Sequence, residues 1–594
     1  MAVTGLGLRA VPSIGGHVFK LRRYLRGHYL ECVLAPTFKG LEAILQLIAP
    51  LVMAQIIDVG IANRDAGFVV SHGAILAAIA LVCYVVAIIA QYYSSKLASH
   101  FGTGLRNDLF RHVLSLPRED VDALGRASLV TRITNDTQQA QDGLNMFFRL
   151  ILRIPFVLVG SVVSAFLVDG WEAACLLASS VVAVGLILAF MRVTTGRYRK
   201  IQQGLDEVTL KTAENLEGAR VLRAFRQEDA EKDTFAQVAG GVRDMQVGTG
   251  DISGVVNPLT YAVVNFGLIA LLWVGGLQVD VGGLTQGQLV ALVSYVSQAL
   301  IELLKLTNLI TMLSKASACA RRINDVFATV PSQADGTAEA PSPAEGTPAV
   351  ELDDVSFAYP GASGDSLSHV SLKVMPGATL GVIGGTGAGK STLAALLMRF
   401  YDATGGTVRV NGADVRAVTR QSLRRQVGIV EQNPQLFGGT IASNLRWGAQ
   451  DAGDDDLMAA VGTAQAADVV ASKDEGLGSR VEQFGRNYSG GQRQRLAIAR
   501  TLVRRPSVLI LDDAASALDF ATDAALRHAI RRDCAGTCVV TISQRVAAVR
   551  SCDQILVLDG GAVAGLGTHE ELLAGCEVYK EICESQLTSE EAGR

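Results

Sequence analysis

Nearly all the long apolar runs of the chain lie in its first 325 or so residues, and they fall into six stretches. These lie at roughly 29–57, 73–97, 147–168, 172–193, 254–278 and 285–312, and each meets the ~20 apolar residues that a bilayer crossing needs. The pattern predicts six membrane-spanning helices. Little more than Val168-Asp169-Gly170-Trp171-Glu172 separates the third from the fourth, which predicts a tight helical hairpin. After the second and the fourth, by contrast, about fifty charged, helix-like residues intervene. Structureless connections of that length are uncommon, so long helices continuing out of the bilayer are expected there.

Beyond the apolar half the period changes. Residues 332–349 are rich in Pro, Ser, Ala, Gly and Glu and have no hydrophobic period, the composition of a linker. From 350 onward the chain reads as a soluble α/β domain. Val350 to Phe357 alternates like a strand, Thr379-Leu380-Gly381-Val382-Ile383 reads as a buried strand, Ser391 to Phe400 as a helix, and Ser507 to Leu511 as a second buried strand. The expected organisation is an N-terminal cytoplasmic segment at 1–28, a transmembrane domain at 29–331, a linker at 332–349 and a nucleotide-binding domain at 350–594.

Composition agrees. A chain of 594 residues exceeds one ordinary core. Its mean hydropathy of +0.30 is too high for a soluble protein of this size. The net charge of −4 and the lack of a basic, aromatic-interleaved patch point away from nucleic acid as a partner. Nine scattered cysteines form no metal-binding spacing and are expected to be reduced. Basic residues orient the membrane half. Lys20, Arg22, Arg23 and Arg26 precede the first span, and no small-residue cleavage site follows it, as for a retained span. Arg106, Arg111, Arg118, Arg126 and Arg132 lie in one long connection, and Arg197, Arg199, Lys200, Lys211, Arg220, Arg223 and Arg226 in the other, whereas the short connections hold only Arg64. Both long connections and both ends are therefore expected in the cytoplasm. Short termini without organelle targeting point to a bacterial plasma membrane.

Two pairs of ionisable residues fall inside spans: Lys39 with Glu42, and Glu302 with Lys305. Each can neutralise itself at i,i+3 on its own helix, or line a polar path for a transported molecule. Both readings stand for Lys39 and Glu42, deep in the first span; local pairing is expected for Glu302 and Lys305, nearer the cytoplasmic end.

Gly384-Gly385-Thr386-Gly387-Ala388-Gly389-Lys390-Ser391, followed by Thr392, fits the strand–loop–helix pattern whose backbone N–H groups wrap nucleotide phosphates. Lys390 is expected to reach the terminal phosphates of ATP, and the Ser391 hydroxyl to ligate Mg²⁺. The strand ending in Asp512 and Asp513 presents two carboxylates at the same crevice, Asp512 for Mg²⁺ and Asp513 toward the γ-phosphate. Tyr488-Ser489-Gly490-Gly491-Gln492 resembles the signature of the ABC transporter superfamily, usually Leu-Ser-Gly-Gly-Gln. That resemblance implies that Ser489, Gly490, Gly491 and Gln492 contact ATP held by an opposite subunit. It also implies that Tyr359 stacks on adenine, that Gln432 touches Mg²⁺, and that Ser516-Ala517-Leu518-Asp519 crosses a dimer interface. Ser128 to Asp136 and Glu214 to Val221 resemble the two cytoplasmic loops that dock on the nucleotide domains. Six spans followed by one such domain resemble an exporter-type half-transporter, which must dimerise.

Three positions depart from the family pattern. Asp513 stands where a water-polarising glutamate is usual, and Gln544, in Thr541-Ile542-Ser543-Gln544-Arg545, where a histidine is usual. Gln483 replaces a glutamate before the signature. Asp513 is one methylene, about 1.5 Å, short of the usual reach, and Gln544 can neither carry positive charge nor shuttle a proton. Beside an intact phosphate loop and signature, this resembles the degenerate partner of a heterodimeric exporter, binding ATP and cleaving it slowly while completing the partner's site. Its cargo, a small molecule, lipid or peptide, does not follow from the sequence; Asn257, Asn265 and Gln298 are among the few polar points in the spans. The alternatives are an ATP-gated regulatory or slow homodimeric membrane protein, and an importer of a chelate on the same scaffold.

Overall fold

The computed structural model describes residues 21–591. Lys20 and the rest of 1–20 lie outside them, as do the side chains of Arg22 and Asn257. The chain divides into two compact units, each taken by itself: one runs to Ser115 and resumes over Gly125–Thr329, and the other joins Leu116–Leu124 to the chain from Val330 onward.

The first unit is helical: α1 (Tyr29–Gln55), α2 (Ala66–Ser115), α3 (Thr137–Leu150), α4 (Arg153–Val168), α5 (Gly170–Glu217), α6 (Glu228–Asp280) and α7 (Gln286–Phe327). Among the described residues, five helices are long and apolar enough to cross a membrane. The sixth expected span lies in α7, a helix of 42 residues that includes side chains outside the described set. At 1.5 Å per residue the 50 residues of α2 reach about 75 Å, well beyond a hydrocarbon core of about 30 Å. The long connections are thus helical continuations of the spans. The expected hairpin is present: Asp169 leaves the helical conformation and its carboxylate accepts from the N–H groups of Trp171 (2.9 Å) and Glu172 (3.1 Å), capping α5. Large apolar side chains such as Phe266 and Trp273 stay exposed on the spans, as lipid-facing residues do.

The third expected span is interrupted. Helix α3 ends at Leu150 and α4 begins at Arg153, because Pro155 lacks an N–H and its ring collides with the carbonyl of Ile151. The interruption fixes where Arg153 enters the interior. At the far end of α1, Asp58 accepts from the Thr285 hydroxyl (2.6 Å) and the Gly287 N–H (2.7 Å), tying that end to the start of α7.

The second unit is built on a six-stranded sheet. Its order is Ala562–Gly567, Gln554–Asp559, Thr379–Gly384, Cys538–Ile542, Val508–Asp512, Val427–Val430, and all pairings are parallel except the first. Such a sheet places its ligand crevice at the carboxyl ends of the strands. The phosphate loop follows Gly384, Asp513 follows its neighbour-but-one and Ser543 the strand between them, so three separate segments converge on one crevice. A four-stranded antiparallel sheet, Leu367–Val374, Val350–Phe357, Gly405–Val410 and Ala413–Asp414, carries Tyr359 just beyond its second strand.

Residues 332–349, expected to be a linker, instead lie along the second unit. The Thr337 and Ala338 N–H groups donate to Ala417 O (3.1 Å each), Asn411 donates to Pro341 O (3.1 Å), and the Arg399 guanidinium, only 2% exposed, donates to Ala334 O (2.7 Å). Most of the segment nevertheless stays exposed and forms no helix or strand, in keeping with its composition. Ser128 to Asp136, the segment that resembles a docking loop, is helical. It belongs to the first unit, where buried Asp136 holds Arg322 of α7 through both carboxylate oxygens (2.7 and 2.5 Å). The segment counted with the second unit is the preceding helix, Arg118–Leu124, where Asp122 accepts from Tyr401 (3.1 Å) and Arg118 lies 5.2 Å over the Phe400 ring.

Candidate functional site

The crevice is a cavity of about 360 Å³ whose walls include Tyr359, Thr386 to Thr392, Gln432, Asp512, Asp513 and Gln544. Gly387 and Gly389 take φ of +83° and +93°, which L side chains rarely adopt. A Cβ on Gly389 would also fall 2.4 Å from the Ser366 carbonyl oxygen. The loop holds its shape because only hydrogen fits there. Gly389→Ala is expected to weaken nucleotide binding by at least about tenfold, the equivalent of 1.4 kcal/mol; unchanged retention of a fluorescent ATP analogue would contradict this.

Lys390 opens the helix Lys390–Leu397, and its ammonium donates to the carbonyls of Gly384 (2.8 Å) and Gly385 (2.6 Å). Burial pulls its pKa below the ordinary lysine value, against the opposing pull of the Asp512 and Asp513 charges. An anion in the loop would draw the ammonium off those carbonyls and join the free N–H groups of the helix start. Ser391 Oγ donates to Asp512 Oδ1 (3.2 Å). Burial raises the Asp512 carboxyl above the usual range, and the neighbouring charges of Asp513 and Glu431 add to it. Two buried carboxyls that resist ionisation together, with Ser391 and Gln432 supplying neutral oxygens, fit a hard cation such as Mg²⁺. Among the described residues no cluster of three or more His, Cys, Asp or Glu could hold a metal alone, so phosphate oxygens would complete the set.

Asp513 sits at φ +48°, and its N–H donates to Ile542 O (2.9 Å) on the adjacent strand. Its Oδ2 accepts from Gln432 Nε2 (3.1 Å), and burial raises its pKa although that bond and the Arg545 and Lys390 charges oppose it. Gln544 is exposed at the rim, and its backbone carbonyl accepts from Gln586 (2.7 Å). The Tyr359 hydroxyl shares a hydrogen bond with Thr392 (3.2 Å), and its ring meets Phe357 and Tyr401 edge-on at 4.9 and 5.2 Å.

The signature residues do not line this cavity. Ser489 caps the helix Gly490–Leu502 in a reciprocal box with Gln492: Ser489 N–H donates to Gln492 Oε1 (2.9 Å), and Gln492 N–H to Ser489 Oγ (3.3 Å). A Cβ on Gly491 would lie 3.0 Å from Ala517 O, so the signature abuts the Ser516–Asp519 segment. Asp519 caps the helix Phe520–Asp533 by accepting from Thr522, whose backbone N–H holds its pKa low. Loop, carboxylates, Gln432, Tyr359 and Gln544 thus converge within one chain, while Ser489 to Gln492 form a separate helix start. Three cavity residues, Ser366, Ile542 and Ser543, were not anticipated as lining it. They adjoin a strand start and a recognised motif but belong to no pattern of their own.

In the first unit the two intramembrane pairs form as expected, Lys39 to Glu42 (2.5 Å) and Lys305 to Glu302 (2.7 Å). They are also joined. Arg153 of α4 donates to Glu42 Oε1 (2.5 Å), Gln46 Oε1 (3.2 Å) and Glu302 Oε1 (3.2 Å), so one guanidinium bridges the two pairs. An arginine within the third apolar stretch was the signal for it.

Comparison with known proteins bears on both halves. The ABC transporter transmembrane region model matches residues 33–303, and the ABC transporter model matches 367–516. An uncharacterised ABC transporter ATP-binding protein of Mycobacterium tuberculosis is 35% identical over 96% of this chain and 99% of its own length. An ATP-dependent lipid A-core flippase of Vibrio vulnificus is 29% identical, covering 89% of this chain and 90% of that protein. The structure of a bacterial Atm1-family ABC exporter with ATP bound superposes with a TM-score of 0.77 at 25% identity, over 95% of this chain and 98% of that one. A multi-pass helical domain fused to an ATP-binding α/β domain, with relatives matched end to end, establishes that the chain belongs to the ABC transporter family, as an exporter-type half-transporter with ATPase function.

Proposed function

We propose that this half-transporter works in an asymmetric pair, binding ATP tightly at its own crevice and hydrolysing it slowly while its signature completes a faster site on a partner chain. The observation that carries this reading is the pairing of Asp513 and Gln544 at the ends of adjacent strands, beside an undistorted phosphate loop. Asp513 is drawn back onto Gln432, so its short carboxylate is turned to a neighbour. Gln544 can hydrogen-bond a phosphate oxygen but cannot take up charge. Meanwhile the capping box holds Ser489 and the helix start of the signature ready for an anion outside this chain's own crevice. ATP binding would close the pair; Lys390, Ser391, Gln432 and Asp512 would grip the phosphates and Mg²⁺. Closure would then switch the membrane helices between inward and outward access in a plasma membrane whose cytoplasmic side carries both ends. The similarity to a lipid A-core flippase supports an amphiphilic cargo.

Single-turnover hydrolysis tests the proposal. The purified chain alone is expected to retain bound ATP with little cleavage, and a companion chain carrying Glu and His at the corresponding positions is expected to restore turnover. A Glu→Gln change in that companion should then abolish it. Brisk hydrolysis by this chain alone would make it a symmetric transporter.

A further inference from the structure

The second unit holds another cavity, of about 500 Å³, apart from the nucleotide crevice. Its walls come from the helices Phe520–Asp533 and Val546–Val549 and from the strands Val508–Asp512 and Cys538–Ile542, with no residue of the phosphate loop among them. That volume falls within the roughly 300–1,000 Å³ of small-molecule sites.

The cavity has unlike ends. Phe520, Ala524, Arg527 and Arg531 stand at i, i+4, i+7 and i+11, on one face of their helix, so this wall runs about 16 Å from an aromatic end to a basic one. Phe520 is 67% exposed, and Arg550 lines the cavity from beyond the other helix. Among the described residues no carboxylate lines it. Arg527 donates to Asp523 Oδ2 (2.9 Å) and to the Ala547 carbonyl (2.7 Å), yet its Nε is buried without an acceptor. Arg531 gives one bond, to the Ser551 carbonyl (2.8 Å), and forms no ion pair among the described residues; Arg550 has neither bond nor ion pair there. Asp553 is turned to Thr379, accepting from its N–H and its hydroxyl (2.8 Å each). Burial pushes the Cys552 thiol up to about 11, so it adds no negative charge. Arginines on a solvated helix face pair locally, as Arg532 does with Asp533 (2.7 Å). Arg531 and Arg550 do not.

We infer that this cavity binds a phosphate monoester carried on a flat apolar body, the chemistry shared by a nucleoside monophosphate and an aryl phosphate. The phosphate carries about −1.5 to −2 at pH 7, which matches two guanidiniums without a carboxylate. Their planar donors meet its oxygens in pairs, and Arg527 Nε supplies a further donor. The ring lies toward Phe520, over Leu511 and Val539. A monoanion leaves one guanidinium unmatched, and a bare phosphate leaves the apolar walls in water. ATP is held by different residues, so this site goes beyond the asymmetric-pair reading and does not rest on it.

The test uses the full chain in nanodiscs, without nucleotide, titrated calorimetrically with naphthyl phosphate, naphthyl sulfate and inorganic phosphate. Naphthyl phosphate is expected to bind at least about tenfold more tightly than either of the others. Arg531→Gln/Arg550→Gln is expected to weaken it at least about tenfold while Mg²⁺–ATP binding stays as in the parent, which also shows that the unit is folded. Lys390→Ala is expected to do the reverse. Phe520→Ala should narrow the gap between naphthyl phosphate and inorganic phosphate. AMP in place of the naphthyl ester separates the two sources: tighter binding marks a nucleotide, weaker binding a plain aryl phosphate. Equal affinities for naphthyl phosphate and naphthyl sulfate would overturn the site. Binding lost in Lys390→Ala but intact in the arginine variant would overturn it too, since the ester would then sit in the nucleotide crevice.

Discussion

Asp513→Glu combined with Gln544→His is expected to raise ATP turnover of the chain by about a hundredfold, the order lost when a reacting group stands about 1 Å out of place. Each change addresses a different deficit. The longer carboxylate would reach past its present bond to Gln432 toward the attacking water, and the imidazole would bring a group able to carry charge at the γ-phosphate. Both follow strands in register, Ile542 opposite Asp512, and both line the cavity, Gln544 from its exposed rim. Either change alone is expected to recover less than the pair, since residues that act as a unit are not additive. Steady-state phosphate release decides it: a double variant no faster than the parent would place the limit elsewhere, with Gln483 the next residue to change.

Removal of Arg153 is the second large effect. Its guanidinium joins Glu42 on α1 to Glu302 on α7, and both residues are almost fully buried. Arg153→Met is expected to cost about 1–3 kcal/mol, because Glu42 and Glu302 keep Lys39 and Lys305 while the oxygens that face the guanidinium, Gln46 Oε1 among them, lose their donor. Adding Glu42→Gln and Glu302→Gln is expected to lower stability further, since Lys39 and Lys305 would then lose their carboxylates. Thermal unfolding in detergent, followed by loss of monodisperse protein, gives the comparison. Equal midpoints for Arg153→Met and the parent would mean that the carboxylates find other cations, and the link between helices would carry no weight.

The phosphate loop and the carboxylates were legible in the sequence because their chemistry is local: a strand, a fixed run of glycines and a helix start lie within a dozen residues of one another. The spans and the Asp169 hairpin were legible for a similar reason, since length and hydropathy are summed along the chain. What was missed depends on contacts far apart in sequence. Residues 332–349 have linker composition yet lie against Ala417, Asn411 and Arg399. The pairing of Glu302 with Lys305 was expected, but its link to Glu42 was not, because that link is made by Arg153 on another helix. The bond between Asp122 of Arg118–Leu124 and Tyr401, a few residues before the segment that resembles a docking loop, was not anticipated either.

That last arrangement has a consequence in time. Asp122 and Tyr401 are 279 residues apart in the chain. At a synthesis rate of about 5–20 residues per second, roughly 15–55 s separate their emergence from the ribosome. The core of the second unit lies within residues 349–583 and can form as those residues are made, so only the seating of Arg118–Leu124 has to wait. That helix is delivered early, held at the end of a long membrane helix, and waits through the insertion of the later spans for the domain that will receive it. Membrane insertion comes first by the order of the chain itself, and a halt in synthesis anywhere before Tyr401 would leave that helix without its site.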